Sequence, residues 1–383
     1  MSLSPPARAA RGADANLAPL ASARAISFRC AGCGRPSRTA SCDKLRPPPP
    51  PAPAPPPTRA SCSSPITSPH LPLVIGVFSG PSDAMRRRRD GIRASWFQWE
   101  GVGRFARACF VVGGRGVPPP LRRALEEEQT RHGDVLLLDG VADDLVFHGY
   151  DSVGPLQIHK LHTWWRVASA MAAPGSRVSY IAKVDDDTFI NLPALEATLM
   201  GFHCVQQLYY GAIGFAGYNA QTFTMCGFSY ASSSRAFRAY KCADRGAEPP
   251  LPFAMGAIVV LSSPLASLVA HSPSAARMAN ESTRGSFRNL GNEDVALGFW
   301  LRKQGEIAKE TPRLNVTYVR DNRNIPNLGC YRNGSLYRPP SQSAVAVHAV
   351  KTAMGMQYVW RVLHDHMVHD KKLCRRMTGD YRL

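Results

Sequence analysis

From Leu71 onward, short apolar runs alternate with stretches of helical periodicity, and that alternation confines the chain to an α/β domain on a largely parallel sheet. The candidate strands are Leu73–Phe78, Cys109–Val112, Val135–Leu138, Tyr180–Val184, Ile258–Leu261, Val316–Val319 and Val345–His348. Between the third and fourth, PLQIHKLHTWWRVASAM places Leu156, Leu161, Trp164, Ala168 and Met171 near helical spacing, which predicts a crossover helix packed on the sheet. With 383 residues and 44% hydrophobic content, the chain has enough apolar surface for one large or two smaller folded units.

The preceding segment has a different texture. Residues 1–70 are rich in Ala, Arg, Pro and Ser, poor in acids and without hydrophobic periodicity, which predicts disorder. Within them, Pro47 to Pro57 should form a polyproline II stalk of about 34 Å, at about 3.1 Å per residue. The same composition also resembles an organellar transit peptide, a competing address. The globular part is expected over 71–372, divided into halves 71–192 and 193–372, with a basic tail over 373–383. No run of about 18 or more apolar residues occurs, so these residues give no reason to expect a membrane anchor.

The formal charge is +18, and residues 1–70 contribute to it with nine Lys/Arg against two Asp/Glu. The remainder is diffuse. No basic stripe interleaved with aromatics is visible, and Arg86 to Arg89 read as a loop rather than a recognition helix, so an anionic substrate is favoured over a nucleic-acid partner. Of the ten cysteines, Cys30, Cys33 and Cys42 begin like a zinc site, but the next, Cys62, lies across the proline run at the wrong spacing. Cys109, Cys204, Cys226, Cys242, Cys330 and Cys374 can supply disulfides in an oxidising lumen, and sequons at Asn280, Asn315 and Asn333 point weakly the same way.

The sharpest local signal is YIAKVDDDTFI, an apolar strand running into Asp185, Asp186 and Asp187. Three adjacent carboxylates repel one another unless a cation or good donors neutralise them, and ligands of open α/β sheets bind beyond the carboxyl ends of the strands. Oxygen ligands there suit Mg²⁺ or Mn²⁺ bridging to substrate phosphates, although a solvated turn capping the next helix accounts for the triplet equally well on its own. Arg89 and Arg93 lie four apart where a helical pattern starts, so they share a face and can meet phosphate oxygens. Glu293 and Asp294 open another helical pattern, as a candidate base or as ordinary helix-start acids. The tail segment HDHMVHD, with His364, His366 and His369, reads as a solvated helix face.

Seven ordered blocks carry a resemblance: RRDGIRASW (88–96), CFVVG (109–113), HGDVLLLD (132–139), YIAKVDDDTFIN (180–191), FAMGAIVVLS (253–262), EDVALGFWL (293–301) and AVHAVK (346–351). Together they make residues 71–352 resemble family 31 glycosyltransferases, the β-1,3-galactosyltransferase and N-acetylglucosaminyltransferase group, which have a GT-A type nucleotide-diphospho-sugar transferase fold. The resemblance implies an inverting, metal-dependent transfer from a UDP-sugar to a glycan or glycoprotein acceptor, forming a β-1,3 linkage. Galactose is the first choice of sugar and N-acetylglucosamine the second; a catalytically silent glycan-binding relative is the rival. It implies further that Asp187 ligates Mn²⁺ (or Mg²⁺), with His348 as a second metal or phosphate contact. Asp185 and Asp186 are then expected to face ribose and sugar, Lys160 to lie near the donor, and Asp294 rather than Glu293 to be the base. UDP-sugar binding falls to the first half and acceptor binding to the second. Membrane association and a Golgi lumen address also follow from the resemblance alone. The sequence departs from the pattern at Ala257, Ile258 and Val259, where a Gly-rich, Tyr-containing form is usual, which bears on donor and acceptor preference.

Overall fold

A computed structural model describes residues 62, 72–143, 156–172, 177–219, 224–229, 251–283, 293–302, 306–330 and 337–378. The predicted stem, the stalk and Cys30, Cys33 and Cys42 lie outside these residues; Cys62 is inside and forms a disulfide with Cys109, Cα to Cα 5.9 Å. In chain order the elements are β1 (Leu73–Phe78), α1 (Asp83–Arg93), β2 (Ala106–Arg115), α2 (Pro119–His132), β3 (Val135–Ala142), α3 (Leu156–Met171), β4 (Tyr180–Asp185), β5 (Phe189–Ile190) and α4 (Leu192–Met200). There follow β6 (Leu208–Asn219), β7 (Thr224–Ser229), β8 (Leu251–Ser262), α5 (Ser263–His271), α6 (Pro273–Ser282), α7 (Glu293–Leu301) and α8 (Glu306–Glu310). The last are β9 (Thr317–Arg320), β10 (Asn327–Leu328), β11 (Tyr337–Arg338), β12 (Ala346–Val347), α9 (Ala353–Leu363) and α10 (Lys371–Thr378).

The main sheet has eight strands in the order β3-β2-β1-β4-β8-β6-β7, with β9 also on β6. Strands β3, β2, β1 and β4 pair in parallel, β8 runs antiparallel to both β4 and β6, and β9 is parallel to β6, so the sheet is mixed but mostly parallel. This is the α/β architecture expected from the alternation of apolar runs. Period-two alternation feeds a core on each face: Leu73, Ile75 and Val77 enter one, Val74 and Phe78 the other. The predicted crossover helix is α3, whose Leu161, Trp164 and Ala168 are fully buried. Helix α7 is buried at every position, which explains why EDVALGFWL is apolar all round after its two acids.

Two expectations are corrected. Arg86 to Arg89 lie within α1, not a loop, because Ser82 caps the helix three residues ahead of Met85 and starts it early. The segment holding His364, His366 and His369 is not a helix face but the connection between α9 and α10. There His364 stacks on Trp360 with centroids 4.0 Å apart, and His369 Nδ1 is 2.6 Å from the Tyr358 hydroxyl. Part of the expected basic tail forms α10, held to Cys330 through Cys374.

Candidate active site

Strand β4 delivers the acidic triplet to the carboxyl edge of the sheet. Asp185 is its last residue, and the chain then turns, with the Thr188 amide donating to the Asp185 carbonyl at 3.1 Å. The turn leads into β5, which pairs antiparallel with β12, Ile190 opposite Ala346 and Phe189 opposite Val347. That pairing brings the next residue, His348, back to the triplet from more than 150 positions along the chain. The Val350 amide donates to the Asp187 carbonyl at 2.8 Å and closes the junction. Ala349 between them has φ of +62°, a left-handed conformation that costs a non-glycine residue roughly 1–2 kcal/mol and marks a backbone held in place by its surroundings.

Asp185, Asp187 and His348 each offer one ligand atom within 4.8 Å of the others. His348 Nε2 lies 3.4 Å from Asp187 Oδ1 and 3.8 Å from Asp185 Oδ2, while its Nδ1 sits 2.7 Å from Asn327 Oδ1. With Nδ1 engaged by Asn327, Nε2 is the ring atom left to face the two carboxylates, the orientation a metal-ligating histidine needs. Two carboxylates and an imidazole fit a divalent metal ion. Lys351 pairs with Asp187 Oδ2. Burial would raise the Asp187 carboxyl, but His348 and Lys351 hold it well below the usual carboxylate range. Asp186 turns away: its Oδ1 accepts from Arg88 Nη1 at 2.8 Å and its Oδ2 from the Ser79 hydroxyl at 3.0 Å. The structure thus groups Asp185, and not Asp186, with Asp187 and His348.

Across the strand end stands α7. Lys183, fully buried, sends its ammonium to Asp185 Oδ1 at 2.8 Å, Glu293 Oε1 at 3.0 Å and Asp294 Oδ1 at 3.0 Å. Sequence reasoning missed this residue, although a lysine inside the apolar strand YIAKV was the signal, since a lysine is almost never fully buried unless paired. Gly256 on β8 makes the room: a Cβ there would collide with the Asp185 carboxylate and lie 2.9 Å from Asp294 Oδ2. Burial pushes Asp294 well above the usual range, Lys183 opposes this, and the Glu293 and Asp185 charges reinforce it. A buried carboxyl raised in this way is a stronger base once ionised, as proton abstraction from a hydroxyl requires.

The predicted donor-side cations behave differently. Arg89 and Arg93 do share a face, but it turns inward: Arg89 forks onto Glu128 at 2.8 and 2.6 Å and also donates to the Gly80 carbonyl, while Arg93 forks onto Asp134 at 2.9 and 2.7 Å. With both guanidinium groups committed to internal acids, the arginine of α1 that reaches the triplet is Arg88. Lys160 is buried and donates to Asp143 Oδ2 at 2.6 Å and to the Ser79 carbonyl at 2.5 Å, so it braces the end of β1 beside the site.

Comparison with known proteins decides the family. The sequence model of the galactosyltransferase family matches residues 87–311, more than half of the chain. The chain belongs to the galactosyltransferase family. The match runs from α1 through α8 and takes in Asp185, Asp187, Lys183, Glu293 and Asp294; His348 lies beyond it. Among similar proteins, this galactosyltransferase-family chain is 26% identical over 244 residues to mouse (Mus musculus) β-1,3-galactosyltransferase 6, covering 60% of this chain and 61% of that one. It is 31% identical over 150 residues to probable β-1,3-galactosyltransferase 4 of Arabidopsis thaliana, covering 37% of this chain and 32% of that one. The matches thus span one third to three fifths of these relatives' length. Among solved structures, the galactosyltransferase LgtC, in complex with donor and acceptor sugar analogs, superposes with a TM-score of 0.37 at 9% identity, covering 78% of this chain and 98% of that one. So loose a superposition adds nothing to the sheet order itself.

Proposed function

We propose that this chain transfers a hexose, galactose first, from a UDP-sugar to a hydroxyl of a glycan or glycoprotein, with inversion and a β-1,3 linkage. The observation that carries the reading is the meeting of two sets of groups within one strand end: the Asp185, Asp187 and His348 ligand set and a buried carboxyl of raised pKa, Asp294, joined to it through Lys183. A divalent cation, Mn²⁺ in this reading, would stabilise the diphosphate as it leaves. Asp187, Asp185 and His348 would hold it. Asp294 takes the acceptor hydroxyl proton as that oxygen bonds to the anomeric carbon, and the bond from that carbon to the diphosphate breaks to release UDP. Arg88 and Lys351, each bound to a triplet carboxylate, are placed to meet the phosphates or ribose once the donor enters.

A donor screen of the purified chain with Mn²⁺, scoring UDP release, tests the reading. UDP-galactose should give the highest turnover. Preference for UDP-N-acetylglucosamine would reassign the sugar, and UDP binding without release on any donor or acceptor would support a silent glycan-binding relative instead.

We infer further that the domain matures in an oxidising lumen. Cys62 with Cys109, and Cys330 with Cys374, form disulfides, Cys204 is disulfide-bonded as well, and the sequon residues Asn280 and Asn315 are exposed; Asn333 lies outside the described residues. No helix among the described residues is long and apolar enough to cross a membrane. A glycosidase-induced mobility shift of the native protein is expected, and no shift together with freely alkylated cysteines would refute the address.

A further inference from the structure

We propose that Lys183 is a positioning residue that sets the distance between the base and the metal-side carboxylate, so that turnover depends on it while donor binding does not. The inference rests on the transferase reading given above.

The geometry is that of a tripod. A lysine ammonium has three N–H donors and no acceptor, and Lys183 directs them to Asp185 Oδ1, Glu293 Oε1 and Asp294 Oδ1 at 2.8, 3.0 and 3.0 Å. Its side chain is sealed from solvent and lies over the Phe78 ring, 5.4 Å from the centroid, so it has no other place to go. The stem of the tripod is a central strand, fixed by parallel pairing of Gly76 with Lys183 on one side and antiparallel pairing of Val259 with Lys183 on the other. One foot is the end of that strand and the other two are the first turn of the fully buried helix α7. The three Oδ1 and Oε1 contacts also orient what is left of the carboxylates: the Oδ2 atoms of Asp185 and Asp294 both face Gly256, where the absence of a side chain leaves them a common space. Asp185 Oδ2 is in turn the atom that faces His348 Nε2. A transfer in which one group leaves toward the cation while a hydroxyl attacks from the base needs these two oxygens at a fixed separation. A misplacement of about 1 Å at a reacting centre costs on the order of 10²-fold in rate. Lys183 is sealed from solvent, so it reaches the reacting groups only through the carboxylates it holds, and in this proposal its effect on turnover is assigned to Asp294.

The test uses Lys183→Met in the full chain, alone and combined with Asp294→Asn. In the otherwise wild-type protein, kcat should fall about 10²-fold, with the donor KM and the Mn²⁺-dependent affinity for UDP unchanged within about threefold. In the Asp294→Asn background the same change should leave the residual turnover within about threefold, because the partner through which Lys183 acts is already disabled. Equal losses in the two backgrounds, or a loss of UDP affinity as large as the loss of kcat, would overturn the proposal in favour of a general structural role. If Lys183→Met does not fold, Lys183→Arg keeps the charge but replaces the tripod with a planar fork. It should hold the thermal midpoint near wild type and still lose about tenfold or more in kcat, and wild-type turnover in that variant would overturn the proposal equally. Wild-type UDP release and Mn²⁺-dependent UDP binding are measured first. Their absence removes the transferase reading and this inference together, whereas their presence with equal losses removes only the role of Lys183.

Discussion

Two groups of buried charge in this protein are assembled on opposite rules. Beside α1, Arg89 and Arg93 meet Glu128 and Asp134 fork to fork, each guanidinium matched by a carboxylate at 2.6–2.9 Å. Beside α7, like charges are drawn together: among the described residues, the carboxylates of Asp185, Glu293 and Asp294 share the single ammonium of Lys183, and Asp187 and His348 crowd in from the other side. The first arrangement satisfies itself and needs nothing from solution. In the second, burial and mutual repulsion push Asp185 and Asp294 up while neighbouring cations hold Asp187 down. Such divergence among acids in one place is what acid–base and metal chemistry require. The difference separates charge that is matched within the fold from charge that is not, which a list of conspicuous residues does not.

The two groups should respond in opposite ways to mutation. Asp294→Asn keeps the shape and removes the base, so turnover should fall by roughly 10²–10⁴ with UDP affinity and thermal midpoint near wild type. If turnover survives and Glu293→Gln is dead, the base is Glu293; if both remain active, the carboxylate mechanism fails. Glu128→Gln should do the reverse, costing about 3–5 kcal/mol of stability in denaturant titration because it takes the carboxylate partner from the buried Arg89 guanidinium, while Arg93 keeps Asp134, with kcat of the folded fraction little changed. That pair also has a pH signature. Burial would raise Glu128, but Arg89 and Arg93 hold it below the usual range. Its contribution is therefore complete above the unfolded-state value of about 4.3 and lost as pH falls through the lower folded value. Wild type should lose stability more steeply than Glu128→Gln over that acid window, and parallel curves would contradict the pairing. The smallest effect is expected at Ala349→Gly, which relieves a left-handed φ and should stabilise by up to about 1 kcal/mol; a clear loss of stability would mean that the conformation carries no strain.

Much of this was legible in the sequence because it depends on local pattern. The seven apolar runs all fall in or against strands, β1 with the predicted limits, since period-two burial on two faces leaves a continuous apolar signature. Strand β6 was not legible: LYYGAIGFAGYN is broken by glycines, and its membership in the sheet comes from pairing with β8, β9 and β7 rather than from composition. At the site, the acidic triplet announced itself through charge density. What the sequence could not supply was partnership over long separations. Nothing local distinguishes Arg88, which reaches Asp186, from Arg89 and Arg93, which turn inward to acids on and just beyond α2. Lys183 was readable as an anomaly in its strand, but that it joins Asp185 to Asp294 follows only from the packing of α7 against β8.

In the proposed reading the convergent carboxylates hold a divalent cation together with a nucleoside diphosphate. Titration calorimetry of UDP into the wild-type chain, with Mn²⁺ and then with excess EDTA, tests it most directly, using Asp187→Ala as the control. Binding is expected with Mn²⁺, none with EDTA and none in Asp187→Ala under either condition. Equal UDP affinity in Mn²⁺ and in EDTA would contradict it.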